Sequence, residues 1–170
     1  MLRSATLDSP LGPLLAVAAD TGIVLLEFHE PGRLEPQLAG LARHFPASPE
    51  PGAHPHLVQL QSELDEYFRG RRRQFTVPLQ APGSVFQMRV WAALQGIPYG
   101  ETRAYRELAL ELGDAQASRA VGTANGQNRL AILIPCHRVV NTGGTLGGYG
   151  GGLWRKQWLL DLEGGQGRML

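Results

Sequence analysis

The sequence predicts an α/β N-terminal domain, a small antiparallel sheet with helices, followed by a mainly α-helical C-terminal domain with a helix-turn-helix. Three observations carry this. The first thirty residues hold three short apolar runs separated by turn residues. From residue 84 onward, apolar residues recur mostly at helical spacing. Between the two patterns, Ala81-Pro82-Gly83 is a break, which gives domains over residues 1–82 and 83–170.

In the first domain, Leu2–Leu7, Leu14–Ala19 and Ile23–Phe28 read as an antiparallel meander. Ser9-Pro10-Leu11-Gly12 and Asp20-Thr21-Gly22 supply its turns. A short helix is expected near Leu34–His44. A clearer one follows, where Leu57, Leu60, Leu64 and Tyr67/Phe68 share a face. The basic run Arg69-Gly70-Arg71-Arg72-Arg73 reads as a solvated helix end with a turn, and Gln74–Leu79 as one more strand.

The second domain opens with Ser84 as N-cap and Gln87 as its capping-box partner. The helix that follows points Phe86, Val90, Trp91 and Leu94 inward and ends before Gly96 and Pro98. Next comes a helix from about Arg103 to Leu112, with Thr102 as N-cap, Gly113 as stop, and Tyr105, Leu108, Ala109 and Leu112 buried. A second helix begins near Asp114, with Ala117, Ala120, Val121 and Ala124 inward and Gln116, Arg119 and Thr123 outward. The pair makes a plausible helix-turn-helix, although a plain helical hairpin has the same spacing. Leu130–Ile134 is a buried apolar run. A glycine-rich stretch over residues 142–152 leads into a last helix, about Leu153–Leu162, expected to bury most of Trp154, Trp158 and Leu162 before a stop at Gly164.

Composition excludes several classes. With 43% hydrophobic and 18% charged residues the chain is globular in type, and no apolar run is long enough to span a membrane. The N-terminus lacks a signal-peptide layout, and a single cysteine rules out intrachain disulfides, so a cytoplasmic protein is expected. One cysteine also excludes zinc sites built on two or more thiolates. Residues 1–83 hold 7 basic and 9 acidic side chains and residues 84–170 hold 9 and 6, a weak lean toward an anionic partner for the second half. No phosphate-loop motif is present, so nucleotide hydrolysis has no support.

The single cysteine, Cys136, follows Ile134-Pro135. Proline fixes its own φ and stiffens the approach, so a nucleophile there can be held at one geometry. A lone cysteine after an apolar run is also simply a small buried hydrophobe. His137 and Arg138 follow directly, and thiolates form beside such groups. Adjacent side chains diverge, however, so His137 needs a water to reach the sulfur, and spacing does not identify the residue that orients it.

The segment Ile134-Pro135-Cys136-His137-Arg138-Val139 resembles the active-site signature of O6-alkylguanine-DNA alkyltransferases. Tyr105, Ser118-Arg119-Ala120-Val121-Gly122, Asn128, Gly148-Tyr149 and Leu159–Gly164 stand around it in the family's order. The resemblance covers about residues 84–164; the first half resembles the family only in its strand–helix outline. It implies that Cys136 accepts an alkyl group, with His137 removing its proton through water and Glu163 orienting His137. Asn128 would bridge the helix-turn-helix to the active-site turn. Tyr105 would help rotate the damaged nucleotide out of the duplex and bond the guanine ring, and Arg119 would fill the vacated stack. The second helix, with Gln116, Ser118 and Thr123, would enter the minor groove. Carbonyls of Cys136 and Val139, with amides near Tyr149 and Gly150, would read the flipped base.

The implied partner is therefore double-stranded DNA carrying O6-alkylguanine, for which a monomer suffices; O4-alkylthymine is left open as a substrate. No cofactor and no metal are implied. Some members bind zinc through N-terminal cysteines that this chain lacks, and some carry serine where Gly150 stands. Three competing readings are a non-catalytic alkylguanine sensor, a cysteine hydrolase and a plain DNA-binding regulator. Cys136 argues against the first, and Arg119 on a helix-turn-helix against the second. The third would leave Cys136 incidental.

Overall fold

A computed structural model describes residues 1–164. They form two compact units, Met1–Pro82 with Arg129–Leu133, and Gly83–Asn128 with the chain from Ile134 onward.

In the first unit, β1 (Arg3–Leu7), β2 (Leu14–Ala19) and β3 (Gly22–Phe28) form the expected antiparallel meander. Gly22 has φ +153°, and a Cβ there would lie 2.8 Å from the Pro78 carbonyl oxygen, so this turn needs glycine. The sheet is mixed rather than purely antiparallel, because β4 (Glu50–Pro51) adds in parallel beside β1 in the order β3-β2-β1-β4. Two residues are too few to show a sequence period, and Pro51 suits only an edge position. Helices α1 (Pro31–Ala42) and α2 (Pro55–Phe68) complete the unit. Val17, Val24, Leu25 and Leu41 pack in one core cluster, and Leu60 and Leu64 of α2 are fully buried.

The strand expected at Gln74–Leu79 does not form; only Leu79 bridges to Ile23. The amides of Thr76 and Val77 are taken by the buried Glu63 carboxylate (2.9 and 3.2 Å), and Pro78 has none to give. A second bridge, Leu26 to Leu130, brings the Arg129–Leu133 segment to the edge of β3. There Leu26 N–H donates to Arg129 O (2.8 Å) and Ala131 N–H to Leu26 O (3.0 Å). Ile132 in this segment sits at φ +72°, a left-handed conformation that costs a β-branched residue about 1–3 kcal/mol.

The second unit opens with α3 (Val85–Gln95), whose capping box is complete: Gln87 N–H donates to Ser84 Oγ (3.1 Å) and Ser84 N–H to Gln87 Oε1 (2.9 Å). β5 (Arg103–Ala104) then occupies residues expected to be helical, and α4 (Tyr105–Glu111) starts two residues late. Its cap is the Glu107 carboxylate accepting from Ala104 N–H (2.8 Å), not Thr102. A 3-10 turn (Ala115–Ala117), capped by Asp114, leads into α5 (Ser118–Gly126). This helix buries Val121, Ala124 and Asn125, whereas Ala120, expected inside, is exposed. Trp91 Nε1 donates to Ala124 O (2.9 Å), pinning α3 to the end of α5.

β6 (Val139–Val140) pairs in parallel with β5, and α6 (Leu153–Gly164) reaches the last described residue. Its inner face differs from the expected one. Arg155, Lys156, Leu159, Leu160 and Glu163 are buried, while Trp154 is 56% exposed and Trp158 and Leu162 are half-buried. The helix turns its charged residues inward where each meets a partner: Arg155 Nη1 donates to Gly151 O (2.9 Å), and the partners of Lys156 and Glu163 are described below. Among the described residues, no helix is long and apolar enough to cross a membrane.

Candidate active site

Pro135 builds the turn that carries the cysteine. Its φ of −80° and ψ of 63° make it the centre of an inverse γ-turn, in which Cys136 N–H donates to Ile134 O (2.8 Å). Cys136–Arg138 continue as a 3-10 turn that enters β6. Two asparagines hold this turn from one side. Asn128 Nδ2 donates to Ile134 O (2.7 Å), and Asn125 Nδ2, from α5, reaches Cys136 O at 3.4 Å. The sequence reading included Asn128 but missed Asn125, a buried polar residue at the end of a helix.

Cys136 and His137 are both buried, His137 completely. His137 Nε2 donates to Glu163 Oε2 (2.8 Å), and Nδ1 has no protein hydrogen-bond partner among the described residues. Arg138 grips the same carboxylate through Nε (2.7 Å) and Nη2 (2.9 Å), and its Nη1 donates to Ile97 O (2.7 Å). Burial alone would raise the Glu163 pKa, but its bonds to His137 and Arg138 hold it down at about 2. Burial pushes His137 below its ordinary value, against the opposing pull of Glu163, so the imidazole is neutral. The sequence reading had Arg138 only as a nearby charge; here it fixes the residue that orients His137.

Tyr105 opens α4 directly after the β5–β6 pairing, which sets it beside the strand that leaves the cysteine. Its ring lies between two glycines. A Cβ on Gly122 of α5 would sit 3.8 Å from it, and one on Gly147 only 3.2 Å. Burial and the nearby Cys136 both raise the Tyr105 pKa, which keeps the phenol protonated as a donor.

Lys156 was also missed. It is fully buried on α6 and donates through Nζ to Val139 O (2.6 Å), to Gly148 O (3.0 Å) and to Leu146 O. It therefore joins β6 to the glycine-rich loop that carries Tyr149, which is half-buried, and Gly150, which is exposed. A signal was available: Lys156 is the chain's one lysine, all other basic residues counted with it being arginine.

The structure thus gathers Cys136, His137, Glu163, Asn128, Tyr105 and Val139 in one unit. Gln116, Arg119 and Thr123 stand apart on the exposed face of α5 and the turn before it, with Ser118 half-buried among them. Thr123 Oγ1 donates to Arg119 O (3.1 Å) and Ser118 Oγ to Ala115 O (3.3 Å).

A thiol held beside a neutral, carboxylate-oriented imidazole is built for nucleophilic attack. Family comparison says on what. Residues 85–165 match the DNA-binding domain of 6-O-methylguanine DNA methyltransferase, and residues 2–81 match its ribonuclease-like domain. The chain belongs to this family. A methylated-DNA–protein-cysteine methyltransferase of Mycobacterium bovis is 46% identical over 96% of this chain and 93% of its own. One from Methanosarcina acetivorans is 39% identical over 94% and 97%. The crystal structure of Mycobacterium tuberculosis OGT in complex with DNA superposes with a TM-score of 0.78 at 43% identity, covering 98% of this chain and 93% of that one. The family assignment spans both units, including the N-terminal half where the sequence showed only an outline.

Proposed function

We propose that this methyltransferase repairs duplex DNA by direct reversal, moving the alkyl group of O6-alkylguanine onto Cys136 Sγ, once per molecule. The observation that carries the reading is the buried Cys136 turn beside the His137–Glu163–Arg138 network. His137 Nδ1 is the nitrogen left to take the thiol proton, through water. The thiolate attacks the alkyl carbon in line, an S–C bond forms as the C–O6 bond breaks, and the electron pair leaves on the guanine. Tyr105, kept protonated, donates a hydrogen bond to the departing base. The product is a thioether with no group positioned to cleave it, so Cys136 is consumed as a co-substrate.

Reaching a base inside a duplex requires flipping it, at a cost of about a few kcal/mol that is smaller for a damaged pair. The exposed face of α5 supplies the DNA contacts in this reading, entering the minor groove with Arg119 filling the gap left by the base. Carbonyls of Cys136 and Val139 and the amides around Tyr149 and Gly150 read the flipped guanine. The protein works as a monomer in the cytoplasm, where a thiol stays reduced.

Incubation with a duplex oligonucleotide carrying O6-methylguanine should add one methyl group to the Cys136 peptide, read by mass spectrometry. An unmodified peptide despite tight binding would establish the non-catalytic sensor instead. Arg119→Ala should slow repair in duplex on the order of tenfold or more, since it loses the stacking surrogate, and leave reaction with the free base O6-benzylguanine unchanged. Equal losses on both substrates would remove the finger role.

A further inference from the structure

The segment Arg129–Leu133, which leads into the acceptor turn, carries Ile132, the one residue other than glycine with positive φ among the described residues. Its φ of +72° and the bond from Leu133 N–H to Ala131 O (2.8 Å) make a γ-turn of the rare, strained hand. Three residues on, Pro135 centres a γ-turn of the common hand, with Cys136 N–H donating to Ile134 O (2.8 Å). Asn128 Nδ2 donates to the same Ile134 oxygen (2.7 Å), which closes residues 128–134 into a loop. A buried, β-branched residue does not keep a left-handed conformation unaided, so its surroundings have to impose it.

Arg129 supplies the constraint. Its backbone oxygen and the Ala131 amide pair with Leu26 of β3, and its side chain ties down the start of the segment. Nε donates to Pro82 O (2.6 Å) and Nη1 to Gln37 Oε1 (3.2 Å). Gln37 is buried and donates to Glu27 Oε1 (3.2 Å), which also accepts from Arg33 Nη2 (2.8 Å). Glu27 Oε2 accepts from Phe28 N–H (2.9 Å), so the far end of this chain of bonds is rooted in β3, next to Leu26. Gly40 of α1 leaves the space: a Cβ there would lie 2.4 Å from Arg129 Nη1.

We propose that Arg129 is a positioning residue for alkyl transfer. Its clasp on Pro82 and Gln37 keeps the Ile132 turn in its strained hand and so fixes Ile134 O, the atom to which both Asn128 and the Cys136 amide are bonded. Without the clasp the segment relaxes toward ordinary φ, and the peptide that carries the sulfur moves with it. In-line displacement needs sulfur, alkyl carbon and O6 in one line. A misplacement of about 1 Å, caused by a change remote from the chemistry, is worth about 10²-fold in rate. What Arg129 controls is the direction of attack and not the acidity of the thiol.

This role rests on the alkyl-transfer reading, and two electrophiles separate their failures. The free base O6-benzylguanine needs an aligned sulfur, whereas iodoacetamide needs only a reachable thiolate. In Arg129→Met the single-turnover rate at saturating O6-benzylguanine should fall about 10- to 100-fold, while the iodoacetamide rate does not fall. Arg129→Lys, which keeps a donor for Pro82 O, should recover part of the loss. Two rates that fall together, or a benzylguanine rate that is unchanged, would reduce Arg129 to a contact of the fold. Unmutated protein that does not react with O6-benzylguanine while iodoacetamide still labels Cys136 would overturn the transfer reading and this role with it. Gly40→Ala tests the clasp without touching Arg129. Alanine suits a helix better than glycine, yet the added Cβ displaces Nη1, so this variant should also lose benzylguanine rate. Combined with Arg129→Met it should cost nothing further, because the displaced group is already gone. Losses that simply multiply in the double variant, or a Gly40→Ala protein as fast as the unmutated one, would overturn the clasp even if Arg129→Met fails to fold.

Discussion

Cys136→Ser should abolish alkyl transfer while leaving the affinity for an O6-methylguanine duplex unchanged. The two side chains are nearly the same size, so the buried turn and its bonds from Asn125 and Asn128 have no reason to move. What changes is the acid. A thiol ionises near pH 8.5 even without help, and a neutral imidazole with one oriented carboxylate can complete that step. An alcohol is far weaker, and nothing else in the site is basic enough to deprotonate it. The single-turnover rate should fall roughly 10³-fold or more, with Kd unaltered. A variant that still transfers the methyl group would move the acceptor to another residue. One that no longer binds would mean that Cys136 contributes to the DNA-binding surface itself.

The features of this fold that were legible in the sequence are those in which neighbours in the chain decide the outcome. The turns before Leu14 and Gly22 set the meander, and Ser84 with Gln87 announced α3 and capped it as expected. The Pro135 constraint on Cys136 is equally local. Features set by distant partners were hidden. Thr76 and Val77 have strand-like neighbours, yet their amides belong to Glu63, thirteen and fourteen residues away. Ala120 and Trp154 were placed inside because they are apolar, but the helices turn Asn125 and Lys156 inward instead. Both of those polar residues bond to carbonyls of the acceptor segment. A helix whose buried face carries Arg155, Lys156 and Glu163 cannot be assigned by hydrophobic period, because its polar residues are satisfied by groups that the period does not contain. The polar residues that periodicity overlooked, Asn125 and Lys156, are therefore the ones that reach the site, where burial follows chemistry and not hydropathy.

Glu163→Gln should produce the largest loss of stability of any conservative change in the second unit. The carboxylate is buried and carries three hydrogen bonds from His137 and Arg138. Glutamine can retain some of these contacts but leaves the Arg138 guanidinium buried without an anion, a change that costs about 3–5 kcal/mol. The pH dependence follows from the Glu163 carboxyl, whose pKa falls from the ordinary 4.5 to about 2 on folding. A depressed carboxyl stabilises the fold fully above its unfolded value and loses that contribution as pH falls toward the folded one. The gap in Tm between the native protein and Glu163→Gln should therefore be wide at neutral pH and narrow progressively below about pH 4.5. Adding Arg138→Met should recover part of the loss, because it removes the stranded charge. The same substitution should slow methyl transfer on the order of 10²-fold, since His137 loses the partner that fixes its tautomer. A Tm gap that stays constant from neutral to acid would mean that Glu163 acts through packing and not as the anion that balances Arg138.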